Sequence, residues 1–364
     1  LDSGWLSSAG SYVTRFEEMV ARRTGRRYAV ATVNGTAALH TALLVAGIGV
    51  GDEVLVPSLT FIASANAVTY TGAQPVFVDV SPETWQLDPE EVSRFLDTGC
   101  ELESGVPVNR TTGRRIRAIM PVHILGHPVD MDPIMDLADR YGILVIEDAA
   151  EAVGAFYKGR PVGSHGSLAC FSFNGNKIIT TGGGGMVVTD DAVWAQRARH
   201  LTTQAKSHPV EYEHDEVGFN YRLTNIQAAM GCAQMEVLEE YVNIKRRIAD
   251  LYTSALEEVQ GILPMKEAEW ATGTFWMYTV LVDEYRYGMT SRDLLSRLMG
   301  KNIMARPLWQ PLDQSPVFRG AHSTGCPVAA QIHRRALSIP CSVGLSAEQQ
   351  GRVIQALREE GVSG

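Results

Sequence analysis

Short, wholly apolar runs alternate with helix-period segments through the first two-thirds of the chain, and that alternation restricts the fold more than any other feature. Residues 54–57, 75–79, 116–122, 143–146, 168–173 and 185–189 read as strands, with helical patterns such as 36–45 and 132–141 between them. Strands apolar on both faces and separated by helices predict an α/β fold with a mostly parallel sheet covered on both sides. Ligands of such sheets bind beyond the carboxyl ends of the strands. Residues 223–259 form a long helical pattern without proline, in which Val237, Tyr241, Ile244, Ile248, Leu251 and Ala255 recur on one face. Beyond it the alternation weakens toward a smaller α+β unit, so the domain boundary is placed in that helix, giving units of 1–240 and 241–364. The segment 99–117, with Arg110, Arg114, Arg115 and Arg117, reads as a polar surface excursion.

Two residues stand just past strand ends. The run Cys170-Phe-Ser-Phe-Asn-Gly-Asn-Lys177 delivers one of only six lysines into a loop that Gly182 to Gly185 are expected to leave open. Desolvation disfavours an ammonium group, so a lysine there is a candidate nucleophile for Schiff-base chemistry. Taken alone, a lysine at a strand end is more often a solvated charge. Asp148 follows residues 143–146, where a buried carboxylate is costly unless it faces a positive partner. A protonated pyridine nitrogen is such a partner, as in pyridoxal phosphate sites; a helix-capping aspartate is the plain alternative. The two together favour the cofactor.

Other elements fit around that pair. Asn34-Gly-Thr-Ala-Ala38 opens a helix whose first N–H groups suit a phosphate, although for this motif alone an ordinary N-cap is the better explanation. Ser172 can donate a hydroxyl to the same group, and Phe61 can stack on a flat ring or fill the core. Gly47-Ile-Gly-Val-Gly51 looks like a dinucleotide fingerprint, yet it follows a helix and runs into Asp52-Glu53. A helix stop is the better reading. A formal net charge of -9 argues against nucleic acid as the main partner. Five scattered cysteines without a C-x-x-C pair fit reduced thiols better than a disulfide or zinc scaffold. No apolar run is long enough to span a bilayer and no signal peptide is recognisable, so a cytoplasmic location is expected and the sequon at Asn109 carries no weight.

Asn34-Gly-Thr-Ala37, Asp52-Glu-Val-Leu-Val-Pro57, Glu147-Asp-Ala-Ala-Glu-Ala152, Phe171-Ser-Phe-Asn-Gly-Asn-Lys177 and Gly218-Phe-Asn-Tyr-Arg-Leu-Thr-Asn-Ile-Gln227 occur in an order that resembles the DegT/DnrJ/EryC1/StrS sugar aminotransferases, a fold-type-I pyridoxal phosphate group. Thr180-Thr-Gly-Gly-Gly-Gly185, Leu201-Thr-Thr-Gln-Ala-Lys206 and Ser3-Gly-Trp-Leu-Ser-Ser-Ala-Gly10 are most similar to its LegC and bacillosamine branch. The likeness runs from residue 3 to about 230, then more weakly through Arg306-Pro-Leu-Trp309 and Leu337-Ser-Ile-Pro340.

The resemblance implies Lys177 as the lysine that binds the cofactor covalently, Asp148 as partner of the ring nitrogen, Phe61 on the ring face and Glu151 near the ring hydroxyl. Many members carry glutamine at that last position, which leaves the charge of Glu151 open. Gly183 replaces an acid found in many members. Phosphate contacts are expected from Gly35, Thr36, Ala37, Ser172 and a neighbouring subunit's Asn220, with Arg222 of that subunit facing the nucleotide diphosphate. A homodimer with shared active sites follows. Trp5, Ser7, Trp309 and His322 are candidates for the sugar site. The implied reaction moves an amino group from L-glutamate to C4 of a nucleotide-linked 4-keto-6-deoxy sugar, with a UDP-linked 2-acetamido-4-keto-2,4,6-trideoxyhexose as acceptor and a bacterial surface glycan as destination. A 3-aminotransferase or a non-catalytic regulatory protein that binds the cofactor are the alternatives. The related 3-dehydratases carry histidine in place of the lysine, so Lys177 argues against them.

Overall fold

The computed structural model describes residues 4–361. Among the described residues the main sheet has nine strands, seven of them in one row: β1 (Tyr28–Thr32), β2 (Asp52–Pro57), β3 (Gln74–Val78), β4 (Arg115–Ile119), β5 (Leu144–Asp148), β6 (Leu168–Ser172) and β7 (Gly185–Thr189). Their order is β1-β7-β6-β5-β4-β2-β3. Neighbours from β6 to β3 are parallel, and β7 is antiparallel to both β6 and β1. The mostly parallel reading therefore describes the sheet. β1 is the strand that the apolar pattern missed.

Period-two burial builds a core on each face. Along β6, Leu168 and Cys170 join Ala38, Leu39 and Leu43, while Ala169 and Phe171 join Phe16, Val20 and Ile179. Helix Ser11–Thr24 supplies Phe16, whose ring meets Phe173 edge-on at 4.9 Å. Phe173 continues β6 toward Lys177, so this contact braces the strand that carries the lysine. Its amide donates to the Gly184 carbonyl at 2.8 Å, tying the same segment to β7.

Three sequence expectations need correction. The helical pattern over 223–259 is two helices, Asn225–Glu236 and Leu238–Leu256, because Val237 leaves helical dihedrals (φ -110°, ψ 6°). Ala228 and Cys232 of the first helix share a core with Leu238 and Val242 of the second, which then runs on into the core of the C-terminal sheet. The buried stripe of the second helix runs through Leu238, Val242, Lys245, Ile248, Ala249, Tyr252 and Leu256, with Leu251 exposed. A buried lysine hid that stripe from an apolar count: Lys245 Nζ donates to the Trp276 and Cys341 carbonyls at 2.8 and 2.6 Å. The segment 99–117 is likewise no simple excursion. It forms a hairpin, Cys100–Glu103 with Val106–Asn109, that docks on β4 through Val108 opposite Arg115. Its Asn109 is buried and donates to Glu53 at 2.8 Å. The Gly47 region ends a helix, with Ile48 N–H donating to Leu43 at 3.0 Å.

The C-terminal region builds its own antiparallel sheet in the order Ile262–Pro264, Tyr278–Val282, Ala336–Ile339, Arg306–Pro307. Its core of Tyr252, Tyr278, Val280, Leu294, Leu298 and Leu357 is continuous with Leu59, Phe77, Ile124 and Leu125. Leu59, Ile124 and Leu125 belong to loops beyond the carboxyl ends of β2 and β4. The second sheet therefore packs where a parallel sheet keeps its ligand. Replacing Phe16 with Ala removes a fully buried ring and its contact with Phe173. The variant is expected to lose about 3–5 kcal/mol in a chemical denaturation series; an unchanged midpoint would show that the brace is unimportant.

Candidate active site

Two successive carboxylates end β5, and strand geometry sends them to opposite faces of the sheet. Glu147 accepts from the amides of Gly163, His165 and Gly166 at 2.8, 2.8 and 2.7 Å. His123 Nδ1 accepts from the Val129 amide, which leaves its Nε2 to donate to Glu147 at 3.1 Å. Burial alone would push the Glu147 carboxyl up, but the His123 contact and these amides hold it down at about 2. This carboxylate is spent on structure.

Asp148 is held differently. It is 3% exposed, and its carboxylate accepts from Ser64 Oγ at 2.7 Å and from the Ala150 amide at 3.1 Å. Among the described residues no arginine, lysine or histidine pairs with it. Burial pushes its carboxyl up, against the pull of Ser64, Ala150 and the more distant Lys177. Of two carboxyls with environments that drive them apart, Asp148 is the one left seeking a cation. A flat heterocycle with a protonated ring nitrogen meets that demand.

Lys177 sits in the turn after β6, its amide donating to the Asn174 carbonyl at 3.0 Å. Its side chain is 12% exposed, and Nζ lies 3.6 Å from Glu151 Oε1 and 4.0 Å from the centroid of Trp276. Trp276 is anchored by its own Nε1, which donates to the Asn176 carbonyl at 2.8 Å. Glu151, 6% exposed, accepts the Leu125 amide on Oε2 at 2.8 Å. Leu125 adopts φ 61°, a costly conformation for a side chain with a Cβ. Burial raises the Glu151 carboxyl to about 7, opposed by Lys177 and the Leu125 amide and assisted by Asp148.

Beside this trio lies an anion cradle. Asn34 caps helix Gly35–Val45 by accepting the Ala37 amide at 2.8 Å, which leaves the first-turn donors of Gly35 and Thr36 to a ligand. A Cβ on Gly35 would lie 2.8 Å from Ser172 Cβ, so only glycine lets the helix start approach the end of β6. Of the glycines after Lys177, Gly182 has open space around it, whereas a Cβ on Gly185 would lie 2.3 Å from the Asn34 carbonyl. Gly35, Thr36 and Ser172 thus fit a phosphate near Lys177, whereas the amide of Ala37 is taken by Asn34.

The remaining expected residues are distributed unevenly. Phe61 is 53% exposed in the turn between β2 and helix Ala63–Tyr70, whose Ser64 amide donates to the Phe61 carbonyl at 3.4 Å. Trp309 lies parallel to Trp276 at 6.5 Å, which brings it to the lysine's side of the molecule. Trp5 and Ser7 are exposed, and their carbonyls accept from Asn225 at 2.7 and 2.6 Å. Asn220 and Arg222 line a separate cleft of about 550 Å³ with Ser8, Lys206 and His208. Arg222 Nη1 is bound there by Glu17 at 3.0 Å and by the Ala31 carbonyl at 3.1 Å. His322 is not brought to the cluster. Its ring packs on Phe95 and its carbonyl accepts from Phe77 of β3. That edge lies four strands from β6, roughly 19 Å at the usual strand spacing. Ser64 and Trp276 are contributors that sequence reasoning missed. Trp276 left one faint signal, an aromatic pair with Phe275 just ahead of an alternating strand.

Comparison with known proteins follows the same lines. Residues 1–358 match the DegT/DnrJ/EryC1/StrS aminotransferase family. The chain is 43% identical over 361 residues to GDP-perosamine synthase of Caulobacter vibrioides, covering 98% of this chain and 92% of that protein. EpsN of Bacillus subtilis, which carries the name of a pyridoxal phosphate-dependent aminotransferase, is 40% identical over 359 residues, covering 98% and 89%. Among solved structures, DesI in the presence of its TDP-sugar product superposes with a TM-score of 0.88 at 31% identity, covering 98% of this chain and 86% of that one.

The raised Glu151 carboxyl gives a stability prediction. Its stabilising contribution is fully present below 4.5, the ordinary glutamate value, and is lost as pH rises through about 7. At 1.36 kcal/mol for each pH unit this amounts to roughly 3 kcal/mol. Glu151→Gln keeps an acceptor for Leu125 and removes the titration. In cofactor-free protein the variant should gain stability over the parent progressively across that window; parallel stability curves would contradict the assignment.

Proposed function

The chain belongs to the DegT/DnrJ/EryC1/StrS aminotransferase family, fold-type-I enzymes that use pyridoxal phosphate, and from that premise we propose that it aminates C4 of a nucleotide-linked 4-keto-6-deoxyhexose. The observation that carries this reading is a buried Asp148 with no ion-pair partner among the described residues, on the same end of the sheet as a largely buried Lys177. An acid that can hold a cationic ring nitrogen and an amine that can bind the aldehyde are what an aminotransferase needs from its protein.

Pyridoxal phosphate, when bound, supplies an aldehyde carbon that carries the amino group and a ring that accepts electrons. The chain does the rest. Gly35, Thr36 and Ser172 would hold the phosphate beside Ala37, Phe61 would cover a ring face, and Asp148 would keep a positive charge on the ring nitrogen by accepting its N–H. Glu151 would stand near the ring hydroxyl. Lys177, as a free amine, would take up a proton at Nζ from the donor carbon and give it back, and would run the same transfer in reverse for the ketosugar. The donor is read as L-glutamate. Trp309, with Trp276, lines the approach for the hexose, and Trp5 and Ser7 extend it from the N-terminal segment. Asn220 is exposed and, with Arg222, lines a cleft to which Gly35, Thr36 and Ser172 do not contribute, which supports a role for both in the site of a second copy, hence a homodimer.

The perosamine synthase likeness makes a GDP-linked 4-keto-6-deoxyhexose the first acceptor to test, ahead of the UDP-linked acetamido sugar. Protein loaded with cofactor and given L-glutamate should convert the GDP-linked ketosugar to a product with nitrogen on C4 by NMR. Lys177→Ala should lower turnover on the order of 10⁴-fold. Amination of the UDP-linked sugar alone would move the nucleotide assignment, nitrogen on C3 would overturn the regiochemistry, and no amination of any ketosugar would overturn the function.

A further inference from the structure

We propose that Glu151 is a second catalytic residue, the proton carrier for Lys177: its carboxylate takes a proton from the lysine ammonium so that the released amine can act as the base. The inference rests on the aminotransferase reading and adds a step to it. In that step an N–H bond of Nζ breaks, its electron pair stays on nitrogen, and an O–H bond forms on Oε1. The reverse transfer restores the pair. No other reactant is consumed.

The geometry separates the two oxygens of Glu151 by task. Oε2 is fixed by the Leu125 amide at 2.8 Å, whereas Oε1 is the one that faces Nζ at 3.6 Å. That distance is longer than a hydrogen bond, and a small rotation of either side chain closes it. The ammonium also lies over the indole face of Trp276, which attracts the cation but cannot take its proton. Asp148, the other acid nearby, is engaged by Ser64 and Ala150. Glu151 is thus the base within reach.

The charged groups acting on Glu151 are Lys177 from the loop after β6 and Asp148 at the end of β5, with the Leu125 amide as the dipole from the loop after β4. Burial and Asp148 favour its neutral form, Lys177 and the amide its charged form, and the balance falls near neutrality. A carboxyl poised there can give and take a proton at little cost. An amide in the same place could hold the Leu125 N–H but carry no proton.

Glu151→Gln therefore tests the proposal with the amide contact intact. In loaded enzyme, kcat/KM for L-glutamate across the neutral range should show an acid limb in the parent that vanishes in the variant, with the plateau lowered on the order of 100-fold. KM for the nucleotide ketosugar should stay the same. Cofactor-free protein supplies an independent readout: the pH dependence of Lys177 acetylation, followed by peptide mass spectrometry, should carry an inflection near neutrality in the parent and lose it in the variant. Glu151→Asp should restore part of both signals. An unchanged acid limb with an unchanged acetylation profile would overturn the proposal. If the parent fails to bind pyridoxal phosphate through Lys177, the aminotransferase reading fails, and the acetylation profile alone still decides whether Glu151 and Lys177 share a proton.

Discussion

A carboxylate buried at the end of a central strand, with hydrogen bonds but no cation, is the constraint on which the rest of this structure turns. Glu147 and Asp148 are adjacent, equally buried and chemically alike. Three amides and His123 saturate the first, while one hydroxyl and one amide meet the second. An unpaired buried charge costs several kcal/mol, so a fold keeps one only where something else completes it. The protein places that unmet demand at the carboxyl end of a parallel sheet, next to its amine.

The surrounding architecture serves to converge four strand ends. Glycine at position 35 lets a helix start touch the end of β6, and glycine at 185 lets β7 press on the Asn34 carbonyl. Phe16 and Phe173 brace the segment that carries Lys177. The second sheet then lowers Trp276 onto the lysine, its backbone tied to the long helix by the buried Lys245. Each contact joins distant parts of the sequence, so the site exists only in the assembled fold.

Much of this was legible in the residues. Doubly apolar strands announced the parallel sheet, Asp148 and Lys177 stood out because each follows a strand, and Asn34-Gly35 because it opens a helix of small and aliphatic residues. The motifs around them named the family. Other parts were not legible, for physical reasons. Tyr28–Thr32 is short and ends in polar Thr32, so its place beside β7 comes from pairing. Lys245 broke the apolar stripe of its helix because backbone carbonyls satisfy its charge in the interior. Trp276 reaches Lys177 only through tertiary packing across about a hundred residues of sequence. His322 appealed as a polar ring in the right region of the chain, yet β3 and Phe95 hold it at the far edge of the sheet.

The central claim is that Asp148 exists to keep a cofactor's ring nitrogen positively charged. It is tested most directly by ¹⁵N NMR of the protein loaded with pyridoxal phosphate labelled at that nitrogen. The account predicts a protonated nitrogen in the parent and an unprotonated one in Asp148→Ala at neutral pH. The same protonation state in both proteins, or an unprotonated nitrogen in the parent, would contradict it.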